Sequence, residues 1–219
     1  MISSLPFDSD LFGYPVGKFQ ANESWNETGF LDQAKPYSLV YIFSILPLSI
    51  QTKHIRLVDV KLTFSKKLLH STKEEEDNLQ SFSGPLTDKL LELSLESGVF
   101  SRFKTDPDFV NGEFEKLYTI WIEKAVTQKE VLVAKNQAGF VSCSISGKMA
   151  QIGLIAVDQN HRGKGWGKRL VQAAEQFAIQ KGAESMSIAT QDSNAPAVAL
   201  YQKLGYNLAE KTFVYHYRP

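Results

Sequence analysis

At 219 residues the chain is long enough to bury a core in one large or two small domains, and 43% hydrophobic with 22% charged residues is ordinary for a globular protein. Its 24 basic residues are balanced by 24 acidic ones, so the net charge is zero and the basic excess of a nucleic-acid binder is absent. A lone cysteine, Cys143, excludes an internal disulfide framework, residues 1–15 lack the basic and apolar regions of a leader, and no apolar run reaches bilayer length; the prediction is a cytoplasmic protein with no membrane span.

The first half reads as short strands around a helix or two, with residues 38–46 and 55–64, rich in β-branched and aromatic side chains, as strands. Residues 66–77 turn polar and end in Lys73-Glu74-Glu75-Glu76-Asp77, a solvated connector that, with Gly84-Pro85, places a domain boundary near 70–85. Leu90, Leu91, Leu93 and Leu95 predict a helix over 87–97, stopped by Gly98. Residues 100–112, with Arg102, Lys104 and Pro107, read as a loop. Leu117, Trp121 and Ala125 recur at helical spacing over 113–126. Three strand-like runs (130–135, 139–145 and 150–157) are separated by turn signals at 137–139 and 147–148, which predicts an antiparallel meander. Leu170, Ala173, Ala174 and Phe177 form the apolar face of a helix over 165–181, with Gly182 at its C-cap. A strand over 184–190, a helix over 194–204 capped by Asn194 with Pro196 in its first turn, and a last strand over 206–217 complete the chain. Strand, helix, strand across 150–190 predicts a parallel βαβ unit.

Residues 160–169 stand between the third meander strand and the main helix. Gly163, Gly165 and Gly167 leave backbone N–H groups unshielded at a helix N-terminus, among the cations Arg162, Lys164, Lys168 and Arg169. That is an anion site suited to a pyrophosphate. The P-loop and dinucleotide glycine patterns both fail on spacing. R-x-x-G-x-G fits, as Arg162, Gly165 and Gly167. This run resembles the acyl-CoA signature of the GNAT superfamily of N-acyltransferases, and Asn194-Ala195-Pro196-Ala197-Val198-Ala199-Leu200-Tyr201-Gln202-Lys203-Leu204-Gly205-Tyr206 resembles the superfamily's downstream "N-x-x-A-x-x-L-Y-x-K-x-G-F" segment. Within it, Ser101-Arg102-Phe103, Tyr118, Trp121-Ile122, Ile152-Gly153-Leu154, Ala189-Thr190-Gln191, Tyr215-His216-Tyr217 and an early Phe7-Asp8-Ser9-Asp10-Leu11-Phe12-Gly13 look like the dTDP-fucosamine acetyltransferases.

The resemblance implies an α/β fold of α+β type: a mixed, mostly antiparallel sheet flanked by helices. Residues 81–219 would form the catalytic domain and 1–80 a smaller, degenerate half of the same fold. It also implies acetyl-CoA as co-substrate, a nucleotide-linked amino sugar as acceptor, and a homodimer. The pantetheine arm would bind as a pseudo-strand along Leu154, Ile155, Ala156 and Val157, and a backbone N–H near 155–156 would meet the thioester oxygen. The phosphates would bind Arg162, Gly163, Lys164, Gly165, Trp166, Gly167 and Lys168, with Asn194 completing the cofactor site. Tyr201, a phenol of pKa about 10, would protonate a leaving thiolate of pKa about 8.5. Arg102, Phe103 and Lys104, in a stretch that often lids the acceptor site, are the expected substrate contacts. No acid on 150–157 supplies a general base. Cys143 reads as structural, the four histidines show no metal-ligand spacing, and no metal is expected. An acetyltransferase for another small amine or a protein amino terminus, and a non-catalytic acetyl-CoA sensor, are the alternatives.

Overall fold

The computed structural model describes residues 1–69 and 79–219. The expected charged connector 73–77, His70 and the first part of the expected boundary near 70–85 lie outside the described residues. In chain order the elements are β1 (Ser3–Ser4), α1 (Pro6–Phe12), β2 (Val16–Gln20), α2 (Glu27–Ala34), β3 (Leu39–Ser44), β4 (Ile55–Lys67), β5 (Leu79–Ser81), α3 (Asp88–Ser97), α4 (Arg102–Thr105) and α5 (Glu113–Thr127). After these come β6 (Val131–Ala134), β7 (Gly139–Ser146), β8 (Met149–Val157), a 3₁₀ turn (Gln159–His161), α6 (Trp166–Gln180), β9 (Ser185–Gln191), α7 (Ala195–Lys203) and β10 (Asn207–Tyr217).

Local chemistry accounts for the ends of the later helices. Thr87 caps α3 by accepting from the Leu90 N–H, and Asn194 caps α7 by accepting from Ala197. The predicted loop 100–112 holds a short helix instead, α4, capped by Ser101 through the Phe103 N–H. In the first half, α1 and α2 are only 7 and 8 residues long, too short to leave a readable apolar period.

The described strands form one mixed sheet in the order β1-β2-β3-β10-β4-β9-β8-β7-β6-β5. Strands β6, β7 and β8 make the expected antiparallel meander, and β8 runs parallel to β9 across α6. The last strand, β10, lies between β3 and β4, pairing Phe213 to Tyr217 with β3 and nearly its whole length with β4. Early and late residues therefore share one sheet. On one face α6 and α7 pack through Leu170, Val171, Ala174 and Tyr201 onto Leu62, Phe64, Ile152, Met186 and Ile188. The other face carries α1, α3, α4 and α5, which pack through Phe12, Leu90, Phe103, Leu117 and Ile122 onto Tyr41, Phe140, Leu154 and Ala156. Each such side chain, fully buried, contributes about 1.5–3 kcal/mol, so both helical layers are held firmly to the sheet.

Candidate active site

Strands β8 and β9 pair from Met149↔Ser185 to Ile152↔Ile188 and no further, although β8 continues to Val157 and β9 to Gln191. The cause is on the other edge of β8. Its pairing with β7 shifts between Cys143↔Ile152 and Val141↔Ile155, so Gly153 and Leu154 both stand opposite Ser142. This is a β-bulge, and it adds a residue, bends the strand and flips its side chains. Ala150 and Ile152 belong to the α6/α7 core, whereas Leu154 and Ala156, two and four positions on from Ile152, belong to the opposite one. A Cβ at position 153 would approach Ser142 Oγ to 3.2 Å, which favours glycine there.

The direction of the backbone past the bulge follows from two hydrogen bonds. Leu154 N–H donates to Ser142 Oγ at 2.8 Å and Asp158 N–H to the Ala138 carbonyl at 2.9 Å, both towards β7. Strand alternation then turns the N–H groups of Ile155 and Val157 the other way, into the gap where β9 has parted. Of the four residues expected to line the pantetheine, Ile155 and Val157 thus present backbone groups. Leu154 and Ala156 bury their side chains among the helices of the other face.

The glycine loop follows directly. Asp158, with its side chain 7% exposed, accepts from Asn160 N at 2.9 Å, His161 Nδ1 at 3.2 Å and Lys89 Nζ at 2.6 Å. The Lys89 ammonium and these further donors hold its carboxyl far below the usual range, so it remains an anion that pins the turn to α3. Gly163 and Gly165 take φ of +73° and +80°, the left-handed region that favours glycine, and Gly165 is the N-cap of α6 with no side chain capping it. The first-turn N–H groups of a 15-residue helix therefore point at open space, and a Cβ at 163 or 165 would meet no atom within 4 Å. These backbone donors fit a pyrophosphate. The cations are more committed than their positions suggest. Arg162 is ion-paired with Glu96 and donates from Nε to the Val157 carbonyl at 3.3 Å, Lys164 donates to Asn160 O at 2.9 Å, and Arg169 stacks on the Trp166 ring at 4.9 Å. Lys168 is exposed. The Trp166 indole packs with Ala134 and Ala138, which leaves only its backbone to face an anion.

Helix α7 closes this region from the α6 side: a Cβ on Gly167 would come within 3.1 Å of Leu200. Tyr201, 3% exposed, packs against Phe64 and Tyr206 at ring distances of 6.0 and 6.3 Å. Burial alone raises its pKa, so the phenol keeps its proton at neutral pH. Asn194 spends its Oδ1 on the Ala197 N–H at 3.3 Å, and its amide nitrogen is left for another partner.

The three expected acceptor residues diverge. Phe103 lies in the core at 5% exposure rather than beside an acceptor. Lys104 points outward, pairing with Glu115 at 3.2 Å over the Phe114 ring. Arg102 turns inward; its guanidinium is stacked on the rings of Phe103, Tyr41 and Phe43 at 4.3, 5.0 and 5.9 Å, and its Nε is buried with no hydrogen-bond partner among the described residues. Desolvation lowers the Arg102 pKa, opposed by Tyr41, Asp59, Tyr118 and Asp8 around it. Composition and spacing gave no hint of this cluster; a lone acid at position 59, inside an otherwise strand-like run, was the available signal. Beside it, His216 Nδ1 is 2.6 Å from Asp106 Oδ2 in a buried pair that Arg56 joins at 2.7 Å. Burial pushes the His216 pKa down to about 4 and so keeps the ring neutral. Among the described residues no cluster of His, Cys, Asp or Glu could hold a metal ion, and Cys143 is buried with its thiol pushed up to about 12, the state of a structural cysteine.

The sequence pattern of the Acetyltransferase (GNAT) family matches residues 96–206, which takes in α5 to α7, the bulged strand and the glycine loop. A streptothricin acetyltransferase of Escherichia coli is 36% identical over 72 residues, 32% of this chain and 41% of that protein. A mycothiol acetyltransferase of Corynebacterium aurimucosum is 31% identical over 65 residues, 30% of this chain and 21% of that protein. The chain thus aligns with less than half the length of either relative. Among solved structures, a GCN5-related N-acetyltransferase from Sphaerobacter thermophilus superposes with a TM-score of 0.59 at 14% identity, covering 93% of this chain and 74% of the other. A tandem GNAT protein from the clavulanic acid biosynthesis pathway superposes at 0.55 and 13% identity, covering 94% and 76%. Both likenesses are of fold.

Proposed function

Because this chain belongs to the GNAT family of acetyltransferases, we propose that it moves the acetyl group of acetyl-CoA to the amine of a small molecule. The observation that carries the reading is the gap between β8 and β9, lined by the Ile155 and Val157 N–H groups and opening beside the uncapped N-terminus of α6. Diphosphate oxygens accept from the backbone at 163–168, with Lys168 and Arg162 adding charge. The pantetheine amides extend the sheet along Ile155 and Val157, and Asn194 Nδ2 donates to the arm. An N–H at Ile155 lies where negative charge develops on the thioester oxygen, the place where a fixed donor lowers the barrier most. Tyr201, kept protonated, donates to the thiolate as it leaves.

For the acceptor we propose a nucleotide-linked amino sugar of the dTDP-4-amino-4,6-dideoxyhexose type, on the motif resemblance and on the inward Arg102. Lys104, paired with Glu115, offers the second cation at the surface. The partial burial of Arg102 among rings equally suits a smaller amine with one anionic or hydroxyl-bearing end, and that is the second reading. The same proposal takes 1–80 as a degenerate half of the fold ahead of a catalytic 81–219, a division that the tandem GNAT neighbour makes natural, and places a homodimer in the cytoplasm. Thiol release from acetyl-CoA, screened against dTDP- and UDP-amino sugars and simpler amines, tests it. Turnover with an amine separates an enzyme from an acetyl-CoA sensor, and a preference for uncharged amines over every nucleotide sugar removes the sugar assignment.

A further inference from the structure

Acetyl transfer leaves one role without a residue, removal of the acceptor amine's proton: β8 carries no acid, and Asp158 at the start of the glycine loop is taken up by Lys89, Asn160 and His161. The cluster around Arg102 supplies an acid. Pairing of β4 with β9 ends at Lys61↔Gln191, and Asp59 stands two residues further along β4, beyond the point where β9 stops. Alternation places it on the face opposite Leu62 and Phe64, towards α4 and α5. There it is 9% exposed and flanked by the Gln191 side chain. Strands β4 and β8 flank β9 in the sheet, so Asp59 stands across the end of β9 from the unpaired stretch of β8 that carries Ile155. Tyr201 lies on the other face of the sheet, packed against Phe64.

We propose that Asp59 accepts the proton of the substrate ammonium, with Gln191 and Arg102 positioning the carboxylate; this rests on the acetyl-transfer reading and assigns a residue within it. The ammonium gives one proton to Asp59 directly or through a water. The nitrogen lone pair then forms the C–N bond to the thioester carbon, the C–S bond breaks, and the sulfur takes a proton from Tyr201. The second proton of the acylated nitrogen and the one on Asp59 pass to solvent, Tyr201 is reprotonated, and the net products are amide, thiol and one proton. The charged and titratable groups around Asp59 are Lys61 on its own strand, Arg102 on α4 and Tyr118 on α5. Asp8 on α1, Tyr41 on β3 and His216 on β10 act on Arg102 in turn. Desolvation outweighs the cations and raises the Asp59 pKa to about 6, in the range of a base that works near neutrality. A buried carboxylate with a raised pKa costs stability at neutral pH, which a purely structural acid would not be expected to do.

The test uses the full chain, acetyl-CoA and three amines: a dTDP-4-amino-4,6-dideoxyhexose, glucosamine and a primary arylalkylamine. Asp59→Asn lowers kcat/KM for the amine that the parent uses by about 10²–10⁴-fold and removes the fall in rate below pH 6. It leaves the acetyl-CoA Kd within about twofold and the Tm equal or higher, and Asp59→Glu restores part of the rate. A loss under about threefold, or an acid limb that persists in the Asn variant, overturns the assignment. So does a variant that loses Tm or acetyl-CoA binding in proportion to activity, since Asp59 would then be structural. If the parent acetylates none of the amines, the acetyl-transfer reading fails by itself, before any variant is compared.

Discussion

Replacing Gly165 by aspartate separates the backbone's conformational requirement from the site's electrostatics. Gly165 has φ +80°, and a Cβ there would meet nothing within 4 Å, so a side chain has room and is penalised only by the left-handed backbone. That penalty is about 1–2 kcal/mol, which for a chain of this size lowers Tm by about 2–8 °C. Gly165→Ala carries this cost alone and should change acetyl-CoA affinity by less than about threefold, because no atom enters the space before α6. Gly165→Asp adds a negative charge at the N-cap, about 5 Å from a phosphate held by the first-turn N–H groups. At that distance two unit charges repel by about 0.8 kcal/mol in bulk water and about 3 kcal/mol at an effective dielectric of 20. The expected loss in acetyl-CoA affinity is therefore about 10- to 100-fold beyond the Ala variant, shrinking at high salt. Calorimetric titration at two ionic strengths measures it. A folded Gly165→Asp protein that binds as tightly as Gly165→Ala would refute the placement of the phosphates at this helix.

Tyr201→Phe keeps the packing against Phe64 and removes the donor; turnover should fall by about 10²-fold or more with acetyl-CoA binding unchanged, and a loss under about threefold with chemistry rate-limiting would make Tyr201 a packing residue. Arg102→Ala should raise the acceptor KM about 10- to 100-fold, the worth of a charge-assisted hydrogen bond, lower kcat as Asp59 loses its positioning partner, and leave the acetyl-CoA KM alone; Arg102→Lys should not rescue it, since the planar group stacked on Tyr41 and Phe103 is lost. His216 binds a proton in the folded state only near pH 4, against 6.5 when exposed, so the folded protein holds fewer protons between those values. Its stabilising contribution is present above pH 6.5 and is lost as the pH falls towards 4; Asp59, shifted upward, works in the opposite sense. Thermal melts from pH 7 to 4 should show a shallower decline in His216→Asn than in the parent, and parallel curves would remove His216 from the acid response.

The later helices and the glycine loop were legible because their signals are local. Thr87 and Asn194 announce caps, Leu170 with Ala173 and Ala174 announces a buried stripe, and glycines at 163 and 165 are needed wherever φ must be positive. The meander and the parallel βαβ unit follow from runs of the right length in the right order. The expected helix or two of the first half are α1 and α2, but at 7 and 8 residues they are too short for an apolar period to mark where they lie.

What the tertiary structure decided is where long-range pairing turns a residue. Residues 150–157 look like one uninterrupted strand, and only the register against β7 shows that Gly153 and Leu154 share a partner, which opens the strand from β9 and frees the Ile155 N–H. Arg102 and Lys104 are near neighbours in sequence with equal charge, yet they stand about 200° apart around α4, which sends the first under Tyr41 and the second to Glu115 at the surface. Asp59 owes its raised pKa to burial by the assembled fold, against which Arg102 of α4 and Gln191 at the end of β9, both distant from it in the chain, hold it down. A charge's solvation and a strand's edge are set by whatever packs beside them, and that neighbour is chosen by the whole fold rather than by the surrounding residues.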